Sequence, residues 1–277
     1  MNDNNLMAPT ELSVCAHEVA VEIGGMPILL RTHDAEFRAL LEKRYLGFVR
    51  ASLEPALALD VDVVHTERVS TEEELRVWSD KGLWRLEWGD FRAEWNPREG
   101  RGKILQSLNH YAIDSILRIV HTLIQAPEGG FLLHGASAIR NGRAFLFSGV
   151  SGAGKTTISR LAPQDSVLLT DEISYVRRDG DGYLACGTPF AGELARLGEN
   201  AAAPIERLFF LAKGRENRIE PIETADALRM LLRNILFFAN DAELIDMVFH
   251  SACEFLARVP AFRLTFYPDE RVWDLIG

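Results

Sequence analysis

Cysteine is scarce in this chain. The three present, Cys15, Cys186 and Cys253, are odd in number, widely spaced and form no C-x-x-C pair. Neither a disulfide framework nor a zinc site is indicated, and a reducing, cytoplasmic setting fits. Long apolar runs are missing too: none approaches the ~18 residues that a membrane span needs, so no membrane partner is expected. Basic charge is short, with 30 Lys and Arg against 40 Asp and Glu and a formal net charge of −10. A long nucleic-acid backbone is therefore a poor partner. Residues Met1 to Thr10 are polar and lack a basic stretch leading into an apolar core, so we expect a frayed tail and no signal peptide. The N-K-x-D guanine motif and the L-S-G-G-Q signature are both missing, which argues against a GTPase and against an ABC-type ATPase. What remains is 277 residues, 47% hydrophobic and 25% charged. That is ordinary globular composition and enough chain for two packed units.

The strongest positive signal lies at residues 149–156, which fit G-x-x-x-x-G-K-[ST]. The apolar run Ala144 to Phe147 before it reads as a buried strand, and Lys155 to Leu161 after it as the first turns of a helix. This is the strand–loop–helix setting of a phosphate-binding loop. Glycines let backbone N–H groups converge on one anion, and the helix start adds partial positive charge. On this reading Gly149, Ser151, Gly152, Ala153, Gly154, Lys155, Thr156 and Thr157 hold the nucleotide, with Lys155 on the outer phosphates and the Thr156 hydroxyl on Mg²⁺.

Ahead of the loop, Leu12 to Ile23 and Pro27 to Leu30 read as two strands on a Gly24-Gly25 turn, with Pro27 near an edge. Asp34 is placed to cap a helix through Tyr45, and Leu57 to His65 is a strand. Trp84 to Trp88 and Phe91 to Trp95 alternate apolar and charged residues about Gly89-Asp90, an antiparallel hairpin. Four of the five tryptophans fall between Trp78 and Trp95. They read first as the core of a small sheet and second as an aromatic platform for a peptide or sugar. Asn96-Pro97, Gly100 and Gly102 mark a linker, dividing a small α+β domain (1–100) from a larger one (101–277). Ser107 is the expected cap of a helix through Leu123. Phe131 to Ile139 is a strand turning at Asn141-Gly142 into the strand that feeds the loop. After the loop come a short strand at Val167 to Leu169, another at Arg207 to Ala212, and a last one at Phe262 to Phe266. Helices are expected over Thr224 to Phe238 and Asp241 to Ala257, capped by Thr224 and Asp241.

Two further features sit near the loop. Asp171-Glu172 follows a buried strand, where ligands collect in open α/β sheets. Phosphoryl transfer needs one carboxylate near Mg²⁺ and another to take a proton from an alcohol. Adjacent strand residues point opposite ways, so each is free for one job; the plain alternative is a solvated strand end. His134-Gly135 lies on the strand before the loop's own. A lone histidine is more often structural, and His134 gains weight only from its company.

Together these residues resemble the HPr kinase/phosphorylase family, which carries a His-Gly on one strand, G-x-x-G-x-G-K-[ST] on the next hairpin arm, and an Asp-Asp pair after the loop helix. Here the positions read His134-Gly135, Gly149 to Thr156 and Asp171-Glu172, with Asp171 lying 16 residues past Lys155. The resemblance covers about Phe131 to Val176 closely, and the rest of the carboxyl-terminal half in outline. It implies a carboxykinase-like P-loop domain, a mixed sheet with flanking helices, preceded by the small domain with its tryptophan-rich hairpin. It implies ATP and Mg²⁺ as cofactors. It implies catalysis by Asp171 as proton acceptor, Lys155 on the β and γ phosphates and His134 lining the phosphoryl site, with Thr156 and Glu172 at the metal. The family's Glu-x-Arg-Gly-x-Gly segment is similar to Glu193 to Gly198, with one residue inserted and a glycine missing. That makes Glu193 a third metal-site candidate and Arg196 a substrate-closing one. Glu172 stands where the family has its second Asp, which keeps the charge and lengthens the reach.

The expected function is an ATP- and Mg²⁺-dependent kinase acting on a hydroxyl, Ser foremost, of a small protein or peptide. The family assembles as oligomers, so a homo-oligomer is a further expectation. The alternative is a nucleotide-gated binding module in which ATP orders residues 187–198. Arg229 and Arg233, one helical turn apart, are either a second charge clamp on the transferred group or a surface pair.

Overall fold

The computed structural model describes residues 17–51, 54–65, 74–190, 192 and 198–277. Among them are two mixed sheets and six helices. Strands β1 (His17–Ile23) and β2 (Met26–Thr32) form the expected hairpin, with Gly24 and Gly25 both at positive φ in the turn. Helix α1 (Ala35–Arg44) starts where Asp34 accepts the Phe37 N–H at 2.7 Å, and it buries Phe37 and Leu41 against the sheet. Strand β3 (Val49–Arg50) takes the outer edge of β1. Strand β4 (Leu57–Val64) runs parallel to β2, and the chain returns through β5 (Arg76–Asp80), β6 (Leu83–Trp88), β7 (Phe91–Asn96) and β8 (Arg101–Ser107). The order is β3-β1-β2-β4-β8-β7-β6-β5.

Three expectations need correction here. Pro27 is on an interior strand; it is tolerated because β4 begins to pair only at Ile28, one residue later. Gly100 and Gly102 are in no linker. Gly100 belongs to the turn joining β7 to β8, and at Gly102 a Cβ would lie 2.7 Å from the Glu94 carbonyl oxygen across the strand pair. The tryptophans do not form one core: Trp95 is buried, Trp84 and Trp78 are partly covered, and Trp88 is exposed.

Helix α2 (His110–Glu128) is capped by Asn109, whose side chain accepts the Ala112 N–H at 3.0 Å, and not by Ser107. Ser107 is still strand, and its hydroxyl donates to Asp90 instead. One continuous apolar cluster holds Val21, Leu30 and Ile104 of the first sheet, Ile116 and Val120 of α2, and Leu132, Ile173 and Tyr175 of the second sheet. Helix α2 is therefore shared by both halves of the molecule. Near the start of α2, Arg44 and Tyr45 both donate to the buried Asp114 carboxylate.

The second sheet begins with β9 (Phe131–Arg140) and β10 (Arg143–Ser148), joined at Asn141 and Gly142, both at positive φ. Helix α3 (Lys155–Arg160) follows, then β11 (Val167–Thr170), β12 (Ile173–Asp179), β13 (Gly182–Cys186) and β14 (Ala202–Lys213). The start of β14 pairs with β13 and its later half lies parallel to β10. Since β9 pairs with both β10 and β12, strands β9, β12, β13, β14 and β10 close on one another. Strand β15 (Arg218–Pro221), helix α4 (Thr224–Leu232), strand β16 (Ile235–Leu236), helix α5 (Ala242–Arg258), strand β17 (Ala261–Phe266) and helix α6 (Val272–Ile276) complete the chain. Helix α4 stops six residues short of Phe238, because Ile235 and Leu236 leave it to pair with β9. Thr224 makes no cap there, whereas Asp241 caps α5 as expected by accepting the Leu244 N–H.

Candidate functional site

The loop between β10 and α3 is held from beneath. Trp273 of α6 is buried, packs edge-on against Phe147 at 5.4 Å and donates its indole N–H to the Ile158 carbonyl at 3.2 Å. That fixes the end of β10 to the body of α3. Gly152 and Gly154 have φ of 75° and 114°, a region L side chains rarely enter. At Gly154 a Cβ would also lie 2.7 Å from the Phe266 ring. Lys155 is buried, and its ammonium donates to the carbonyls of Gly149 at 2.9 Å and Val150 at 3.3 Å.

Gly135 explains why a glycine follows His134. A Cβ there would lie 2.9 Å from the Phe147 carbonyl oxygen, near the end of β10 just before the loop. Its N–H donates to the Glu172 carbonyl at 2.8 Å, and its own carbonyl accepts the Ser174 hydroxyl at 2.9 Å. Gly135 thus draws the strand of the loop and the strand after the carboxylates together. The Thr170 hydroxyl accepts the N–H groups of Glu172 and Ile173, both at 3.2 Å, which shapes the bend between β11 and β12.

Asp171 and Glu172 occupy that bend and not a strand, so the expectation that they point opposite ways fails. A Cβ placed on Gly192 would meet Glu172 Oε2 at 2.9 Å and Asp171 Oδ2 at 3.0 Å, so both carboxylates lie against one residue. The Gly192 N–H donates to Asp171 Oδ1 at 2.9 Å. Asp171 is buried, at 3% exposure. His134 is half-buried; burial first, then the charges of Lys155 and Arg118, push its pKa down, so the imidazole is neutral at neutral pH.

A cavity of about 450 Å³ gathers these groups. It is lined by Ser151, Gly152, Gly154, Lys155, Thr156 and Thr157 on one side, and by His134, Asp171, Glu172 and Gly192 on the other. Gly149 and Ala153 belong to the loop but do not line the cavity: Ala153 is buried, and the Gly149 carbonyl accepts from the Lys155 ammonium. Lys213 also lines the cavity. It ends β14, which runs parallel to β10, so both strands deliver their carboxyl ends to the same rim. Nothing local in the sequence marks Lys213. Glu193 and Arg196 lie outside the described residues. Arg229 does not reach the cavity: it is exposed on α4 and paired with Asp226 one turn away, and Arg233 is exposed at the end of the same helix. The surface-pair reading is the one that fits these two. Among the described residues, no three His, Cys, Asp or Glu side chains form a ready metal cluster.

Fold and cavity define a two-sheet α/β protein with a glycine-lysine loop facing a pair of carboxylates. A family model described as SynChlorMet cassette protein ScmC matches residues 104–277, more than half of the chain, and the protein belongs to that family. No curated protein matches it. Among solved structures it is similar to the Hpr(Ser) kinase/phosphatase from Coxiella burnetii, with 11% identity over 52% of this chain and 85% of that one and a TM-score of 0.30. A superposition that loose carries no argument about fold or activity. No helix among the described residues is long and apolar enough to cross a membrane.

Proposed function

We propose that this protein is an ATP- and Mg²⁺-dependent kinase that moves the γ-phosphoryl group to a hydroxyl, Ser foremost, of a small protein or peptide. The observation that carries the reading is that Lys155, Thr156 and Asp171 line one cavity although Asp171 arrives from a different strand. The loop amides and the Lys155 ammonium suit the β and γ phosphates. The Thr156 hydroxyl and the Glu172 carboxylate suit Mg²⁺. A preformed cage is not required, because Mg²⁺ keeps several waters and takes one or two carboxylates beside phosphate oxygens. When bound, the ion neutralises charge on the phosphates. Asp171, steadied by the Gly192 N–H, takes the proton from the acceptor oxygen as that oxygen attacks phosphorus and ADP leaves. A neutral His134 adds no like charge beside Lys155. Lys213 supplies a further cation at the rim. The expected division at residue 100 is not carried into this proposal, because β8 (Arg101–Ser107) pairs with β4 and β7 inside the first sheet; residues of the second sheet and its loops line the cavity, and the core around α2 braces them.

The test is incubation of the protein with labelled ATP, Mg²⁺ and cell extract, followed by identification of the labelled species. Wild type labels an acceptor; Asp171→Asn binds ATP with unchanged affinity and labels nothing. Tight ATP binding with no labelled acceptor would favour the nucleotide-gated module instead.

A further inference from the structure

Lys213 lines the cavity but belongs neither to the loop nor to the carboxylate side. Strand pairing fixes where it stands. Across the cavity rim the strands follow the order β12, β9, β10, β14, β17: Ile173 pairs with His134, Gly135 with Ser148, Ser148 with Phe210, and Phe210 with Arg263. Asp171 and Glu172 come just before Ile173, at the start of β12, and Lys213 ends β14 three residues past Phe210. The loop leaves β10, between the two. Three inter-strand steps, about 14 Å along the sheet, separate the carboxylate strand from the strand of Lys213. The cavity thus has acid on one flank of the loop and a cation on the other. The Lys213 side chain is exposed and makes no hydrogen bond or ion pair with another side chain among the described residues, whereas Lys155 is held by the Gly149 and Val150 carbonyls.

A chain of phosphates laid on this loop takes its direction from those charges. Phosphate oxygens and carboxylates repel one another. Only the phosphoryl group that is transferred has to meet Asp171 and Mg²⁺, so the rest of the chain runs toward Lys213. We propose that Lys213 binds the diphosphate that stays with the nucleoside, and that the nucleoside leaves the cavity over the ends of β14 and β17. Those two ends are tied together, the Gly214 N–H donating to the Phe266 carbonyl at 3.0 Å. The Phe266 ring underlies Gly154 of the loop, and Tyr267 after it is exposed, with its N–H held by Asn217 Oδ1 at 2.8 Å. The direction of the chain rests on the kinase reading. A contact with the retained diphosphate is the same in substrate and product, so it strengthens ATP and ADP binding alike and leaves the chemical step untouched.

Calorimetric titration of the full-length protein with Mg·ADP, and separately with the β,γ-imido analogue of Mg·ATP, tests this. Lys213→Met should weaken both by one common factor, about 10-fold, the loss of a hydrogen bond to a charged group, and Lys213→Arg should restore most of it. A loss confined to the ATP analogue would put Lys213 at the transferred phosphoryl and overturn the proposal. Unchanged affinity for both overturns it as well. Photolabelling with 8-azido-ADP should mark peptides holding residues 213–217 or 266–271; label on β9 or on residues 170–173 overturns the stated direction. If Lys213→Met loses its circular dichroism spectrum, Lys213→Gln decides by the same comparison. Wild type that binds neither nucleotide takes down the kinase reading and this inference with it, whereas a failed Lys213 comparison beside intact wild-type binding strikes this inference alone.

Discussion

The Gly192 N–H lies 2.9 Å from one oxygen of the Asp171 carboxylate, and the space a side chain at 192 would fill is already taken by Asp171 and Glu172. A residue from beyond β13 thereby sets the position of a carboxylate that arrives from β11.

Gly192→Ala follows from that contact. The added methyl pushes on both carboxylates, so phosphoryl transfer should fall ~100-fold through misplacement, with ATP affinity and melting temperature near wild type. Steady-state kinetics beside calorimetry checks it; full activity would remove the contact from the mechanism.

Lys155 and Lys213 both line the cavity but differ in setting, one buried within the loop and one exposed at a strand end. Lys155→Met should abolish measurable ATP binding. Lys213→Met should raise the KM for ATP by a smaller factor, about 10-fold, as an exposed charge does. Equal effects would mean that burial does not separate their roles.

Gly135→Ala should cost about 1–3 kcal/mol of stability, the range for forcing a methyl into filled space, because the Phe147 carbonyl stands 2.9 Å from that methyl. Urea unfolding measures it. A neutral result would show that β9 and β10 separate without strain.

His121 gives a pH dependence. Its imidazole is buried against the Tyr175 hydroxyl, and burial takes its pKa from 6.5 down to about 3. Below pH 6.5 the unfolded chain binds a proton that the folded chain refuses until about pH 3. Stability therefore falls as pH drops through that window, by up to ~1.4 kcal/mol per unit. Between pH 7.5 and 5.0 wild type should lose about 2 kcal/mol more than His121→Gln in urea unfolding. Parallel losses in the two proteins would rule out His121 as the source.

The hairpins at Gly24-Gly25, Gly89-Asp90 and Asn141-Gly142 were legible because their turn residues and alternating strands are contiguous. The caps at Asp34 and Asp241 were legible for the same reason. Ser107 and Thr224 misled because a hydroxyl before an apolar run is a common pattern: strand pairing holds Ser107 while Asn109 takes its cap, and Thr224 is already inside α4 with Glu223 at the cap position. The end of α4 was hidden because the residues after Leu232 are as apolar as those before it; only pairing of Ile235 and Leu236 with β9 stops the helix. Most of the cavity was nameable from His134, the 149–156 loop and Asp171-Glu172, whereas Lys213 was not.

By itself the sequence determined the loop, its strand and its helix, since glycines at fixed spacing and a lysine after them are local facts of backbone geometry. Tertiary structure alone decided that Lys213 joins Lys155 at the cavity that holds the carboxylates. Parallel pairing of β14 with β10 carries Lys213 to the rim. The burial of α2 between two sheets carries Arg118 to Phe190. Those approaches join residues far apart in the chain through hydrogen-bonded ladders and apolar packing, which no spacing within a short window encodes.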